Sequence, residues 1–356
     1  MSIDEVAPVS AVSPPGHYPF GVEGRVAQWD GHAWTGDSAG DAAVGSTPKW
    51  HHTFFPFLVH QWFWWMVVGS ILALVPGYVA AVTGHIWIGV FTLPGFAIFM
   101  IGSVLLVDRH MHFTQLSQRR LIIIWGIISG IFAAAVGTGI ESYLEPKFGI
   151  PLAIDLWCAG PVEETLKLAI PFVLLVFGSA KFKDPRAGLL LVLISGAVFG
   201  TLEAWLYMFA AGGYTPLLMS GARPTTELLH PFLTGLAAAL IWLAAWRAGR
   251  AFTLAGLVGW VVAMAGHSFH DGIFSAREHG TTDHISAVPS LAQAILLTVV
   301  TIGISLIWIV IIFLVMRHAA RELTPPNAIS INSPHWRPQL KQWGRTKAAK
   351  QQARTA

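Results

Sequence analysis

Four stretches of the chain carry residues that could do chemistry, and each interrupts an apolar run. They are Glu163-Glu164-x-x-Lys167, Phe199-x-x-x-Glu203, His230-Pro231 and His267-x-x-x-Asp271. Paired carboxylates with two imidazoles suit amide hydrolysis. A carboxylate can take a proton from water and pass it to the leaving nitrogen. Histidines can hold a divalent metal that polarises the carbonyl, or stabilise the oxyanion directly. Two histidines with one or two carboxylates form an open ligand set suited to zinc. On a helix, Glu163 and Lys167 share a face at i,i+4, and Glu164 and Lys167 meet at i,i+3. His267 and Asp271 are also i,i+4, so the Asp can accept a ring N–H and orient the imidazole. Pro161 removes an N–H and frees the carbonyl of Trp157, which predicts a kink or helix start just before Glu163.

The elements holding these residues are long and apolar. Of 356 residues, only 12% are charged and 54% are hydrophobic, against about 25% charged in soluble domains. Mean hydropathy is +0.58. This excludes a soluble globular enzyme and a disordered chain. The net charge of +3 with scattered basic residues excludes nucleic-acid binding. The single cysteine, Cys158, excludes an intramolecular disulfide framework. Eight stretches approach the roughly 20 residues that cross a bilayer, at about 57–82, 86–107, 121–140, 152–178, 189–210, 226–246, 252–274 and 291–316. The expected fold is therefore all-α and polytopic, with about eight transmembrane helices.

Basic residues orient the spans. Arg109, Arg119 and Arg120, then Lys181, Lys183 and Arg186, then Arg247 and Arg250 fall in alternate loops. The same side receives the basic tail from Arg317 to Arg354, while the opposite loops hold only Lys147, Arg223 and Arg277. This bias predicts that both termini are cytoplasmic. Glu163, Glu203, His230, His267 and Asp271 then fall within about 16 Å of the outer face at 1.5 Å per residue. Consecutive spans thus place acids and imidazoles at one depth, which suggests a polar cavity open to the outside. Charged groups at such depth cost roughly 2.5–3.5 kcal/mol or more and mark function. Asp155 and Glu227 fall near interfaces and read as solvated.

Three parts follow from this pattern: a cytosolic segment over 1–53, a multi-span domain over 54–316, and a basic cytosolic tail over 317–356. No cleavable signal peptide precedes the first span. Within the first part, Pro14-Pro15-Gly16-His17-Tyr18-Pro19 and Gln28-Trp29-Asp30-Gly31-His32-Ala33-Trp34-Thr35 suggest a tiny sheet around an Asp-Gly turn; a flexible linker is the other reading. The stretch resembles a short tryptophan-containing domain of actinobacterial membrane proteins, with His17 in place of the first Trp. That likeness implies no chemistry.

His-Glu-x-x-His, Gly-x-Ser-Gly and Gly-x-Gly-Asp signatures are all absent, which disfavours three familiar intramembrane protease designs. The ordered set Glu163-Glu164-Lys167, Phe199-Glu203, His230 and His267-Asp271 resembles the PrsW family of intramembrane metalloproteases. That family is related to the type II CAAX prenyl proteases. The resemblance covers about residues 60–316. It implies cleavage of a membrane-anchored protein near its extracytoplasmic side, in a bacterial plasma membrane; one family member cleaves an anti-sigma factor. By the resemblance, Glu163 or Glu164 would be the base, with Glu163 favoured because Glu164 can pair with Lys167. Glu203, His230 and His267 would bind a divalent metal such as zinc or stabilise the oxyanion, and Asp271 would orient His267. A metal-free glutamate mechanism is compatible with the same residues. The rival reading is a proton- or ion-coupled transporter, since intramembrane Glu, His and Asp also serve proton relays. Against it, the ionisable residues sit in spans four to seven only, with no repeated half.

Overall fold

In a computed structural model, the described residues are 16–19, 26–29, 34–35, 60–111, 116, 118–148, 152–209, 215–279 and 290–319. Most of the 317–356 tail and of the 1–53 segment lies outside them. Near the N-terminus, β1 (Gly16–Pro19), β2 (Val26–Trp29) and β3 (Trp34–Thr35) form an antiparallel sheet in the order β1-β2-β3. Trp29 pairs with Trp34 across the Asp30-Gly31 connection, so the sheet reading of this segment stands over the linker reading.

Helices follow: α1 (Gln61–Thr83), α2 (Leu93–Met111), α3 (Arg119–Phe148), α4 (Leu152–Phe177), α5 (Pro185–Tyr207), α6 (Thr215–Thr226), α7 (Leu229–Ala248), α8 (Leu254–His279) and α9 (Leu291–Ala319). The chain is an all-α polytopic membrane protein outside the small sheet. Among the described residues, six stretches are long and apolar enough to cross a membrane: Gln61–Thr83, Ile86–Asp108, Arg119–Ile140, Pro185–Tyr207, Pro216–Ala248 and Leu291–Val315. The two remaining long helices, α4 and α8, have 26 residues each. Their lower apolarity comes from Glu163, Glu164 and Lys167 in one, and His267, His270 and Asp271 in the other.

Helix α6 is new relative to the sequence reading, in which residues 215–225 form a loop. Pro216 stands near its start, where the missing N–H is an orphan in any helix. Glu227 N–H donates to Arg223 O at 2.9 Å and His230 N–H to Glu227 O at 3.2 Å, so α6 runs almost directly into α7.

The bundle is built around α5 and α7, which are buried nearly all round. Helices α1 and α9 present apolar side chains outward, including Val75, Ile71, Ile307 and Val310. Glycines let helices touch: a Cβ at Gly160 of α4 would overlap the backbone of α8 at Met264, and one at Gly95 of α2 that of α1 at Ala73. Basic loops gather at one end. Trp242 Nε1 of α7 donates to Phe182 O between α4 and α5 at 2.8 Å, and Lys181 Nζ donates to Gln118 Oε1 at 2.5 Å. Lys181, Lys183, Arg186, Arg119, Arg120, Arg247 and Arg250 therefore share the end that the positive-inside pattern predicts.

Trp242 is fully buried and its bond anchors that end. Trp242→Phe keeps the packing but leaves the Phe182 carbonyl without this donor. A loss of about 1–3 kcal/mol is expected, read as a lower unfolding midpoint in detergent; an unchanged midpoint would remove the bond's structural role.

Candidate active site

Helix α4 supplies the centre of the site. Pro161 and Pro171 both lie inside it, and the helix runs through both. Each proline frees a carbonyl four residues earlier. The carbonyl of Trp157 accepts from Ser268 Oγ of α8 at 2.7 Å. The carbonyl of Lys167 accepts from Ser195 Oγ of α5 at 2.9 Å and Ser129 Oγ of α3 at 3.2 Å. Of the expected kink or helix start before Glu163, the helix start is not seen: the helix runs on from Leu152, and its freed carbonyls are satisfied by neighbouring hydroxyls. Those bonds fix the height of Glu163, Glu164 and Lys167 against α3, α5 and α8.

Lys167 is completely buried. Its ammonium donates to Glu163 Oε2 at 3.0 Å, Glu164 Oε1 at 3.0 Å and His230 Nδ1 at 2.7 Å. All three N–H donors are used. The Phe199 ring lies 4.0 Å from Nζ and 5.1 Å from the His230 ring, a cation–π contact within the apolar helix α5.

The two glutamates differ in their surroundings. Glu164 Oε1 accepts from Lys167 and faces His267 Nδ1 at 2.9 Å, while its Oε2 lies 2.7 Å from Thr234 Oγ1. Both oxygens are engaged. Glu163 accepts one hydrogen bond through Oε2. Its Oε2 also faces His267 Nε2 at 3.6 Å and His230 Nδ1 at 3.8 Å.

His230 divides the cluster. With Nδ1 accepting from Lys167, the ring proton sits on Nε2. That nitrogen faces Glu203 Oε2 at 2.8 Å and Glu227 Oε2 at 2.7 Å. One N–H thus faces two buried carboxylate oxygens, neither of which has another donor among the described residues. Arg223 Nη1 reaches the other oxygens, at 2.6 Å from Glu227 Oε1 and 3.5 Å from Glu203 Oε1. Its guanidinium stacks 3.5 Å from the Tyr207 ring. Gly196 and Gly200, four apart on α5, allow this approach: a Cβ at Gly200 would come 2.8 Å from His230 Cδ2. His267 Nε2 meets Asp271 Oδ2 at 3.1 Å, and the two imidazoles pack edge to face at 4.9 Å.

All eight residues singled out in the sequence lie in or against this cluster. Glu203 and His267, however, fall in different donor groups, both of which include His230. The donor group that includes His267 takes Glu163 as its carboxylate, and Glu203 groups instead with Glu227. Two participants come from the short helix and its junction. Arg223 reads from sequence as a loop residue, and Glu227 as a solvated one; Glu227 is 1% exposed. The spacing Arg223-x-x-x-Glu227-x-x-His230 carries the signal, i,i+4 then i,i+3, once the helix is extended upstream. Asp155 lies outside the described side chains. Glu203, Arg223 and Asp271 are partly exposed and form the rim of an otherwise buried site.

Five carboxylates face two fixed cations, Lys167 and Arg223. With neutral imidazoles, ionised acids leave three negative charges in excess, a costly state in a buried site. One divalent cation reduces that excess to one. The donor set fits a metal that would displace Lys167 from His230 Nδ1 and Asp271 from His267 Nε2. Glu163 Oε2, one nitrogen of His230 and one of His267 lie within 4.8 Å of one another. The 3.6 and 3.8 Å separations are close to the roughly 3.4 Å edge of a tetrahedron around zinc. The outer nitrogen of each imidazole faces a carboxylate: Glu164 for His267, Glu203 and Glu227 for His230. This is the usual arrangement that orients metal-binding histidines.

Compared with known families, residues 117–316 match the model of the PrsW family intramembrane metalloproteases. That segment contains every residue of the cluster. No curated protein and no solved structure matches the chain.

Removing the central cation tests the electrostatics. Lys167→Met leaves Glu163 and Glu164 buried without it and should cost about 3–5 kcal/mol. Thr234→Val, which removes one hydroxyl from Glu164, should cost about 1–3 kcal/mol. Unfolding midpoints in detergent should fall in that order; the reverse order would refute the central place given to Lys167.

Proposed function

The chain belongs to the PrsW family of intramembrane metalloproteases, and we propose on that premise that the Lys167-centred cluster hydrolyses peptide bonds of a membrane-anchored protein. The single observation that carries this reading is the convergence of Glu163, His230 and His267 beside a buried ammonium.

Glu163 is the water-activating carboxylate. It has one hydrogen-bond donor where Glu164 has both oxygens committed, so it has capacity to accept a proton from water. It then delivers that proton to the leaving amine nitrogen. Glu164 and Thr234 act on position: they hold His267 and Lys167. Asp271 at His267 Nε2, and Glu203 and Glu227 at His230 Nε2, restrain the imidazoles in turn. Phe199 shields the ammonium from the bilayer. A divalent metal, zinc being the ion the donors fit best, would be held by His230, His267 and Glu163 Oε2; when bound it supplies Lewis-acid polarisation of the carbonyl and of water. Without it, an oxyanion would take an N–H of Lys167 or His267 by displacing Glu163 or Asp271.

The site lies in the half of the bundle away from the basic loops. With both termini cytoplasmic and eight spans, that half is extracytoplasmic, and the scissile bond falls near that face of a bacterial plasma membrane. The substrate is a single-pass or otherwise anchored protein, an anti-sigma factor being one such class.

Purified chain reconstituted with a single-pass reporter tests this. Glu163→Gln, His230→Ala and His267→Ala should each slow cleavage at least about 100-fold, with folding checked by melting. Undiminished cleavage in all three would end the assignment. Metal content of the wild type, with activity before and after chelation, separates metal-assisted from metal-free chemistry.

A further inference from the structure

A second site lies behind α4, away from the acid cluster. A cavity of about 720 Å³ opens among Leu168 and Phe172 of α4, Leu257 and Trp260 of α8, and Arg250 and Phe252 of the loop between α7 and α8. Its volume falls in the range of about 300–1,000 Å³ that holds small organic ligands. By helical rotation its α4 wall is roughly opposite to the face bearing Glu163, Glu164 and Lys167.

The lining has a definite polarity. Most of it is aliphatic or aromatic, as an acyl chain requires. Arg250 stands at the end of the spans and is exposed, with no carboxylate partner among the described residues. The loops at this end of the bundle also carry Arg247, Lys181 and Lys183, while Asp184 is taken by Arg186 at 3.4 Å. Deeper in the cavity, Trp260 adds an indole to the apolar wall. Phe252 packs edge to face on Phe172 at 5.2 Å, which fixes the loop beside the cavity.

We propose that this cavity binds an anionic phospholipid, with an acyl chain between α4 and α8 and its phosphate at Arg250. A neutral lipid would fill the apolar part equally well but would leave the basic end uncompensated. Basic pockets between spans on the cytoplasmic side favour anionic headgroups for this reason. The bound lipid rests against the back of the helix that carries the acid pair.

The test is native mass spectrometry of the full chain in micelles containing equal phosphatidylglycerol and phosphatidylcholine of the same acyl composition. Wild type should retain phosphatidylglycerol in preference. Arg250→Gln should lower that preference about fivefold, the effect expected for one basic contact at the membrane surface, and Arg250→Lys should keep it. Leu257→Trp, which fills the cavity, should reduce retention of both lipids. Equal retention of the two lipids by wild type, or an unchanged preference in Arg250→Gln, would overturn the proposal. Both Arg250 variants alter an exposed loop residue, so the outcome does not depend on Leu257→Trp folding.

Discussion

An ammonium group with no exposure to solvent is the constraint around which the polar half of this molecule is arranged. Burying Lys167 among apolar helices is unfavourable unless each of its N–H groups finds an acceptor and its charge a counter-charge. Glu163, Glu164 and His230 meet that demand from two different helices. Their own remaining capacity then has to be met. Glu164 draws in Thr234 and His267, His230 draws in Glu203 and Glu227, and those two carboxylates draw in Arg223. The network grows outward from one charge until it reaches the partly exposed rim.

Such a network needs backbone fixed more firmly than side-chain packing alone provides. Helix α4 achieves this by breaking its own ladder twice. Pro161 and Pro171 release carbonyls, and Ser268, Ser195 and Ser129 take them up. A helix with its hydrogen bonds complete would have no such handles for its neighbours. Glycine does the complementary work on α5, where Gly196 and Gly200 let His230 come close enough for Glu203 to reach its ring. Proline, serine and glycine here position residues that do the chemistry without themselves touching it.

Much of this was legible in sequence, for physical reasons. Apolar length located the long helices, and charge placed against that background located the acid and imidazole residues. Spacing of three and four identified the Lys167 and His267 pairs. Contacts between helices were harder to read. Sequence spacing offers Lys167 either glutamate, whereas the folded ammonium takes both. The resemblance groups Glu203 with His267, while in the fold Glu163 groups with His267 and Glu203 with Glu227. Arg223 and Glu227 were obscured because Pro216 and Pro224 resemble loop punctuation, although a helix forms around both. The serine partners of the freed carbonyls carry no local signal, since their role depends on which helices become neighbours.

With this cluster as the proteolytic centre proposed above, the depth of the site determines where a substrate is cut. The cluster lies in the half of the bundle remote from Lys181, Lys183, Arg247 and Arg250. The most direct measurement is the intact mass of both fragments released from a single-pass reporter, which places the cut along its span. A cut in the half remote from the reporter's basic flank is the predicted result. A cut at the basic end of the span would contradict the assignment of this cluster as the proteolytic centre.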